Sequence, residues 1–259
     1  MAVYPFRSAL VTGASAGIGA EMARQLGDAG VPTVVVARRE DRLVELAAEY
    51  DGFEILAADL LSDEGQQAVM DRVASVDDPI DLVVNNAGFG TGGTFWELDA
   101  ERLGDEVELN VKALTKISNV ALGTMAARQG GYLLNVSSIA SFQAAPGLAV
   151  YAATKAYVTS LSEALHEEMR GTGVHVTALC PGLTKTEFQE KSNTSNLEGA
   201  FPDAMWTSAE SVARAGLDGV AKNRAIVVPG LVNKGITTAS DLIPRSITRR
   251  LSGLSALRN

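Results

Sequence analysis

Seven short apolar runs punctuate the chain: Ala9–Thr12, Thr33–Ala37, Phe53–Leu56, Leu82–Val84, Tyr132–Val136, Val174–Leu179 and Ile226–Val228. Each is nearly continuous in β-branched and aliphatic residues, the pattern of strands covered on both faces. Between the runs, apolar residues recur every three or four positions, as in Ile18, Met22 and Leu26, or Leu43, Leu46 and Ala47, or Val158, Leu161, Leu165 and Met169. That spacing lays one apolar stripe along a helix. Strand and helix in alternation, joined by right-handed crossovers, predict an α/β fold with a doubly wound, mostly parallel seven-stranded sheet. No stretch has the composition of an interdomain linker, so residues 1–259 are expected to form a single domain. The longest polar interruption, 186–207, carries Phe188, Phe201, Met205 and Trp206 near its ends and predicts a small lid.

Composition narrows the functional classes. Of 259 residues, 46% are hydrophobic and 20% charged, enough for a sizeable core and incompatible with disorder, collagen or coiled coil. The net charge of −9 opposes nucleic-acid phosphates, and no nucleic-acid partner is expected. Cys180 is the single cysteine and has only His166 and His175 for company, so neither an internal disulfide nor a metal site is expected. With no signal-peptide pattern and no membrane-length apolar run, the expected location is cytoplasmic.

The first strand runs into Thr12-Gly13-Ala14-Ser15-Ala16-Gly17-Ile18-Gly19 and then a helix. Glycines there permit a tight turn, let backbone approach a pyrophosphate, and bring helix and strand together while the helix N-terminus offers free N–H groups. A dinucleotide fold that takes NAD ends its second strand in an acid for the ribose 2′-hydroxyl. This strand ends in Ala37-Arg38-Arg39 instead. Paired guanidiniums suit a 2′-phosphate and predict NADP(H); the alternative is that Arg38 and Arg39 sit on a solvated turn and pair with Glu40 and Asp41.

Tyr151 and Lys155 stand four residues apart, on one helical face. A nearby ammonium, together with an oxidised nicotinamide, favours the phenolate and is expected to lower the tyrosine pKa, fitting Tyr151 to pass a proton to or from a carbinol oxygen. Ser138 follows the fifth strand and Asn85-Asn86-Ala87-Gly88 ends the fourth, both at the carboxyl edge where such sheets open a ligand crevice; Asn110 lies in the helix beyond.

Taken together, Thr12-Gly13-x-x-x-Gly17-x-Gly19, Asp59, Asn85-Asn86-Ala87-Gly88, Asn110, Ser138, Tyr151-x-x-x-Lys155 and Pro181-Gly182 with Thr186 resemble the short-chain dehydrogenases/reductases over nearly the whole chain. The resemblance implies a Rossmann fold and hydride transfer between nicotinamide and a CH–OH or C=O group. It implies Tyr151 as acid/base, Ser138 orienting the substrate oxygen, Lys155 on the nicotinamide ribose, and Asn110 holding a water in a proton relay. For NADP(H) it implies a cradle of Gly13, Ser15, Gly17, Ile18 and Gly19 with Arg38 and Arg39. Asp59 and Leu60 would meet the adenine, Asn86, Ala87 and Gly88 would form a wall, and Pro181, Gly182, Thr184 and Thr186 would meet the nicotinamide end.

Phe89, Phe95, Phe142, Gln143, Phe188 and Trp206 are the residues expected to face substrate, a mostly apolar set that favours a hydrophobic ketone or secondary alcohol. Ketoacyl thioesters belong to that class; Arg128 and Arg170 could serve an acidic carrier or simply complement helix ends. From residue 236 the tail places Ile243, Ile247, Leu251 and Leu254 on one face with Arg245 and Arg249 opposite, an amphipathic helix that could cover the cleft, a neighbouring subunit of a homo-oligomer, or a membrane surface. The rival reading is a dinucleotide sensor that binds without turnover.

Overall fold

The structure, a computed structural model, describes residues 3–193, 205–230 and 233–235. The middle of the expected lid, including Phe201, and the whole expected tail lie outside the described residues. The strands are β1 (Ala9–Thr12), β2 (Thr33–Ala37), β3 (Phe53–Ala57), β4 (Leu82–Asn85), β5 (Gly131–Val136), β6 (Val174–Leu179) and β7 (Ile226–Val227). The α-helices are α1 (Gly17–Asp28), α2 (Glu40–Ala47), α3 (Asp63–Ala74), α4 (Ala100–Val107), α5 (Leu114–Ala127), α6 (Ala149–Glu168), α7 (Phe188–Lys191) and α8 (Ala209–Ala221). All seven apolar runs are strands. They form one wholly parallel sheet in the order β3-β2-β1-β4-β5-β6-β7. The fold is Rossmann-like.

Successive strand residues point to opposite faces, so each strand feeds two cores. On one face Val11, Val35, Leu134 and Leu179 pack with Met22 and Leu26 of α1, Leu43 of α2 and Leu217 of α8. On the other, Leu10, Val34, Val83 and Leu133 pack with Val69 of α3 and Ile117 and Met125 of α5. Leu10, Leu26, Leu133 and Leu134 are wholly buried, and truncating any of them to alanine is worth about 2–5 kcal/mol. β3 departs from the expected two-sided burial: it is the sheet's edge, and Glu54 and Ile55 are exposed.

Because β1 and β4 are neighbours whose chains wind off in opposite directions, their carboxyl ends part and leave a crevice. A buried polar seam fixes its floor. Asn85 and Asn135 are register partners on β4 and β5; Asn85 Nδ2 donates to Asn135 Oδ1 at 2.9 Å and to Ser118 Oγ of α5 at 3.0 Å, and Asn135 Nδ2 donates to Ser162 Oγ of α6 at 3.0 Å. Such a network, low in dielectric, ties α5 and α6 to the strands that carry the site. Arg128 donates to the carbonyls of Ile80 and Gly130 and Arg170 pairs with Glu167, so both act locally at helix ends. Among the described residues no helix is long and apolar enough to cross a membrane, and no cluster of three potential metal ligands occurs.

Candidate active site

The turn after β1 folds as the glycines require. Gly13 and Gly17 have φ of +68° and +57°, left-handed values that side chains with a Cβ disfavour. Gly19 is demanded by contact instead: a Cβ there would stand 2.3 Å from Asn86 Nδ2 and 2.4 Å from the Gly13 carbonyl oxygen. Asn86 is the bolt of the assembly, its amide donating to the carbonyls of Thr12 at 2.9 Å and Gly13 at 3.2 Å. The Thr12 hydroxyl accepts from the amides of Asn86 and Ala87, both at 3.0 Å, and donates to Val84. The helix N-terminus therefore faces an open, rigid cradle.

An elongated cleft of about 410 Å³ runs from this cradle across the carboxyl ends of the strands. Gly13, Ser15, Gly17, Ile18, Arg38, Arg39, Asp59 and Leu60 line its first half; Asn86, Ala87, Gly88, Ser138, Tyr151 and Lys155 line its second, with Pro181, Gly182, Thr184 and Thr186 closing it. Gly19 packs behind the lining. At the outer end Arg38 pairs with Asp59 at 3.8 Å, and Arg39 reaches Ser15 Oγ at 3.0 Å and Glu187 Oε2 at 2.9 Å. Glu40 and Asp41 are not their partners. Glu187, held by Arg39 and Lys191, has its carboxyl pulled down to about 2, with hydrogen bonds from Lys191 and then Arg39 as the main causes.

The inner end is largely buried. Lys155 is buried, its ammonium donating to the Val136 carbonyl at 2.9 Å, and Ser137 Oγ donates to the Lys155 carbonyl at 2.8 Å, pinning α6 to the end of β5. Lys155 Nζ lies 5.7 Å from the Tyr151 ring centroid. The protein's own groups pull Tyr151 the other way from the expected joint effect of lysine and oxidised nicotinamide. Burial pushes the phenol up to about 12, opposed by the Ser138 hydroxyl against it, and burial also drops Lys155 to about 8. The ammonium stands over the ring and is itself discouraged by burial, so burial outweighs it on the phenol.

Asn110 is fully buried within a π-helical turn, Glu108–Ala113, between α4 and α5. Its side chain donates to the Phe89 carbonyl at 2.8 Å and to Thr154 Oγ1 at 3.1 Å and accepts from the Phe89 amide at 3.1 Å. Both of its N–H bonds are thus committed to protein, which leaves the side chain to brace the loop after β4. Ser138 Oγ accepts from the Ala140 amide at 3.1 Å, starting a short 3-10 turn, Ile139–Phe142.

Of the residues expected at substrate, Phe89 and Phe188 line the cleft, and the Phe188 ring centroid is 5.3 Å from that of Tyr151. Phe95, Phe142, Gln143 and Trp206 lie outside the lining: Phe95 is exposed, Phe142 packs on the Ala178, Cys180 and Val228 cluster, and Trp206 lies under Lys185. Leu109, Ala140, Leu148 and Leu183 line it unforeseen. Their sequence signal was proximity to the motifs: each stands within a few residues of Asn110, Ser138, Tyr151 or Gly182.

Comparison with known proteins identifies the family and the fold. Residues 7–197 match the family described as short chain dehydrogenase. An uncharacterized oxidoreductase of Myxococcus xanthus is 34% identical over 197 residues, covering 74% of this chain and 78% of its own. A short-chain dehydrogenase from Sphingobium yanoikuyae, solved in complex with NADPH, superposes with a TM-score of 0.82 at 30% identity over 90% of this chain and 92% of that one. A bulky-bulky ketone specific alcohol dehydrogenase from Comamonas testosteroni gives 0.75 at 28% identity, over 92% and 95%. On the matched residues and the shared fold, the chain belongs to the short-chain dehydrogenase/reductase family of oxidoreductases.

Proposed function

We propose that the protein is an NADP(H)-dependent oxidoreductase acting on hydrophobic ketones or secondary alcohols, with Tyr151 as the general acid/base. The observation that carries this reading is the meeting of Tyr151, Ser138 and Lys155 on the wall of a cleft whose other half is a glycine cradle. The cradle fits a dinucleotide: Gly13, Gly17 and the α1 N-terminus leave backbone N–H groups free for a pyrophosphate. Arg38 and Arg39 beside Asp59 supply cations where an adenosine 2′-phosphate would lie, and the Sphingobium yanoikuyae relative was solved with NADPH.

When bound, the nicotinamide supplies the hydride that reduces a carbonyl carbon, or accepts one from a carbinol. The chain's own part is the proton. Ser138 donates to the substrate oxygen and aligns it, and Tyr151, a phenol throughout the neutral range, gives its proton to that oxygen as charge develops on it. Lys155, held on the Val136 carbonyl, offers its charge to the resulting phenolate and to a ribose hydroxyl. Asn110 acts by bracing Phe89 and Thr154. Phe89, Leu109, Leu148, Leu183 and Phe188 provide the apolar walls that exclude water and favour a hydrophobic substrate, in keeping with the ketone specificity of the Comamonas testosteroni relative. A binder without turnover would have no use for a phenol and serine so paired.

The test is the oxidation rate of NADPH and of NADH against aliphatic, aromatic and polyol ketones. The expected result is turnover of apolar ketones with NADPH preferred. Faster reduction of polyol ketones would overturn the substrate class, and equal use of NADH would overturn the cofactor preference.

A further inference from the structure

Glu106 is used by no step above, yet among the described residues it is a fully buried carboxyl, costly to place where it is. It lies on α4 four residues before Asn110, is 0% exposed, and makes no hydrogen bond with either carboxylate oxygen. Burial pushes the Glu106 carboxyl above the usual carboxylate range, and the Thr91 hydroxyl, itself buried with no hydrogen bond of good geometry, is the chief influence drawing it back down. Ser192, whose carbonyl accepts from the Gly92 amide at 2.7 Å, adds a fourth buried and unpartnered oxygen beside the loop that carries Thr91. A buried carboxyl without partners costs several kcal/mol and calls for a reason.

The reason lies in the groups it faces. From α4 itself Arg102 acts on it, but that guanidinium is drawn outward to the Lys191 carbonyl and the Phe89 ring. α4 packs against α6, and Asn110, one turn beyond Glu106, shares the space beside Gly88 with Lys155: a Cβ on Gly88 would stand 2.7 Å from Asn110 Oδ1 and 3.5 Å from Lys155 Nζ, so the Glu106 charge acts on Lys155 and Tyr151 across one helical turn. Cys180, at the end of β6, also faces these two, but burial pushes its thiol up to about 11 and leaves it neutral over the working range. Among these side chains Glu106 is therefore the source of negative charge for a lysine that burial tends to neutralise.

We propose that Glu106 is a positioning residue of the active site, a buried counter-charge that keeps Lys155 as an ammonium and Tyr151 as a proton donor, and so biases the site toward carbonyl reduction. One negative charge acts on both groups with the same sign, favouring the protonated form of each. Thr91 serves it by keeping the carboxyl ionised. The inference rests on the reductase reading only for its kinetic consequence; the charge coupling is measurable without turnover.

The experiment follows the ε-methylene NMR signal of Lys155 against pH in the full chain, assigned by its loss in Lys155→Met. In Glu106→Gln the Lys155 inflection falls from about 8 by about one pH unit, the scale of a partly screened charge pair in a protein interior. Glu106→Asp restores most of the shift, and the high-pH limb of ketone reduction moves down in parallel. Thr91→Val, which lets the carboxyl neutralise more readily, gives a smaller fall in the same direction and carries the test should the glutamine variant not fold. An unchanged Lys155 inflection in a folded variant overturns the proposal. Absence of ketone turnover in the unmodified protein, with the inflection still falling, leaves the coupling standing and sinks the reductase reading alone.

Discussion

The two ends of the cleft treat charge in opposite ways. At the outer end Arg38, Asp59, Arg39 and Glu187 are paired with one another while each remains at least a third exposed. Water screens such pairs, so each is worth little and can be exchanged for a ligand's charge at small cost. At the inner end Lys155 and Glu106 are almost wholly buried, and burial itself moves Tyr151 to about 12 and Lys155 to about 8. The outer end can therefore recognise an anion, while the inner end can set the protonation of the groups that do chemistry.

That contrast breaks first at Tyr151. Replacing Tyr151 by phenylalanine removes the proton donor and leaves the walls, so kcat for ketone reduction falls by about 10²- to 10⁴-fold while NADPH still binds, as steady-state rates and fluorescence titration would register. A variant that retains its rate would mean the inner end does no acid–base work. Next comes the outer end. Arg38→Ala with Arg39→Ala raises KM for NADPH by about 10- to 100-fold, hydrogen bonds to charged groups being worth about 1.5–3 kcal/mol, and leaves KM for NADH and kcat nearly unchanged. Equal loss with both cofactors would assign the arginines to structure. The smallest effect is at Glu187. Its folded pKa of about 2 lies below the usual carboxylate value of 4.5, so its contribution is present above the unfolded pKa and fades as pH falls through the folded one. With its side chain 37% exposed, screening holds that contribution below about 1 kcal/mol. Melting curves of Glu187→Gln should thus differ slightly from the parent near neutrality and converge toward pH 2; a gap that persists there points to packing instead.

Most of the frame was legible in the sequence because it is written in local terms. Val34-Val35-Val36 or Leu82-Val83-Val84 can hardly be anything but covered strand, and Gly13, Gly17 and Gly19 announce their turn. The exceptions depend on what is distant. β3 carries an apolar run like its neighbours, and only the strand order makes it an edge. The partner of Arg39 is 148 residues away. The π-helical turn around Asn110 is a backbone event with no residue signature of its own. Glu106 sits in Ala-Glu-Arg-Leu-Gly-Asp-Glu-Val, a composition suited to a solvated helix, and only the packing of α4 against α6 and the loop after β4 puts it indoors. The burial of Tyr151 was hidden for a related reason: spacing places an ammonium nearby, but burial is a property of the whole cleft and pushes the phenol the other way.

The pairing of Arg39 with Glu187 has a mechanical side. Glu187 begins α7, and the very next residue is Phe188, whose ring rests beside that of Tyr151. A single peptide unit therefore joins the anchor at the cofactor end to the cover over the phenol, and Thr186 just before it touches the Gly17 turn. An anion that takes Arg39 from Glu187 therefore acts one residue away from the ring beside the phenol.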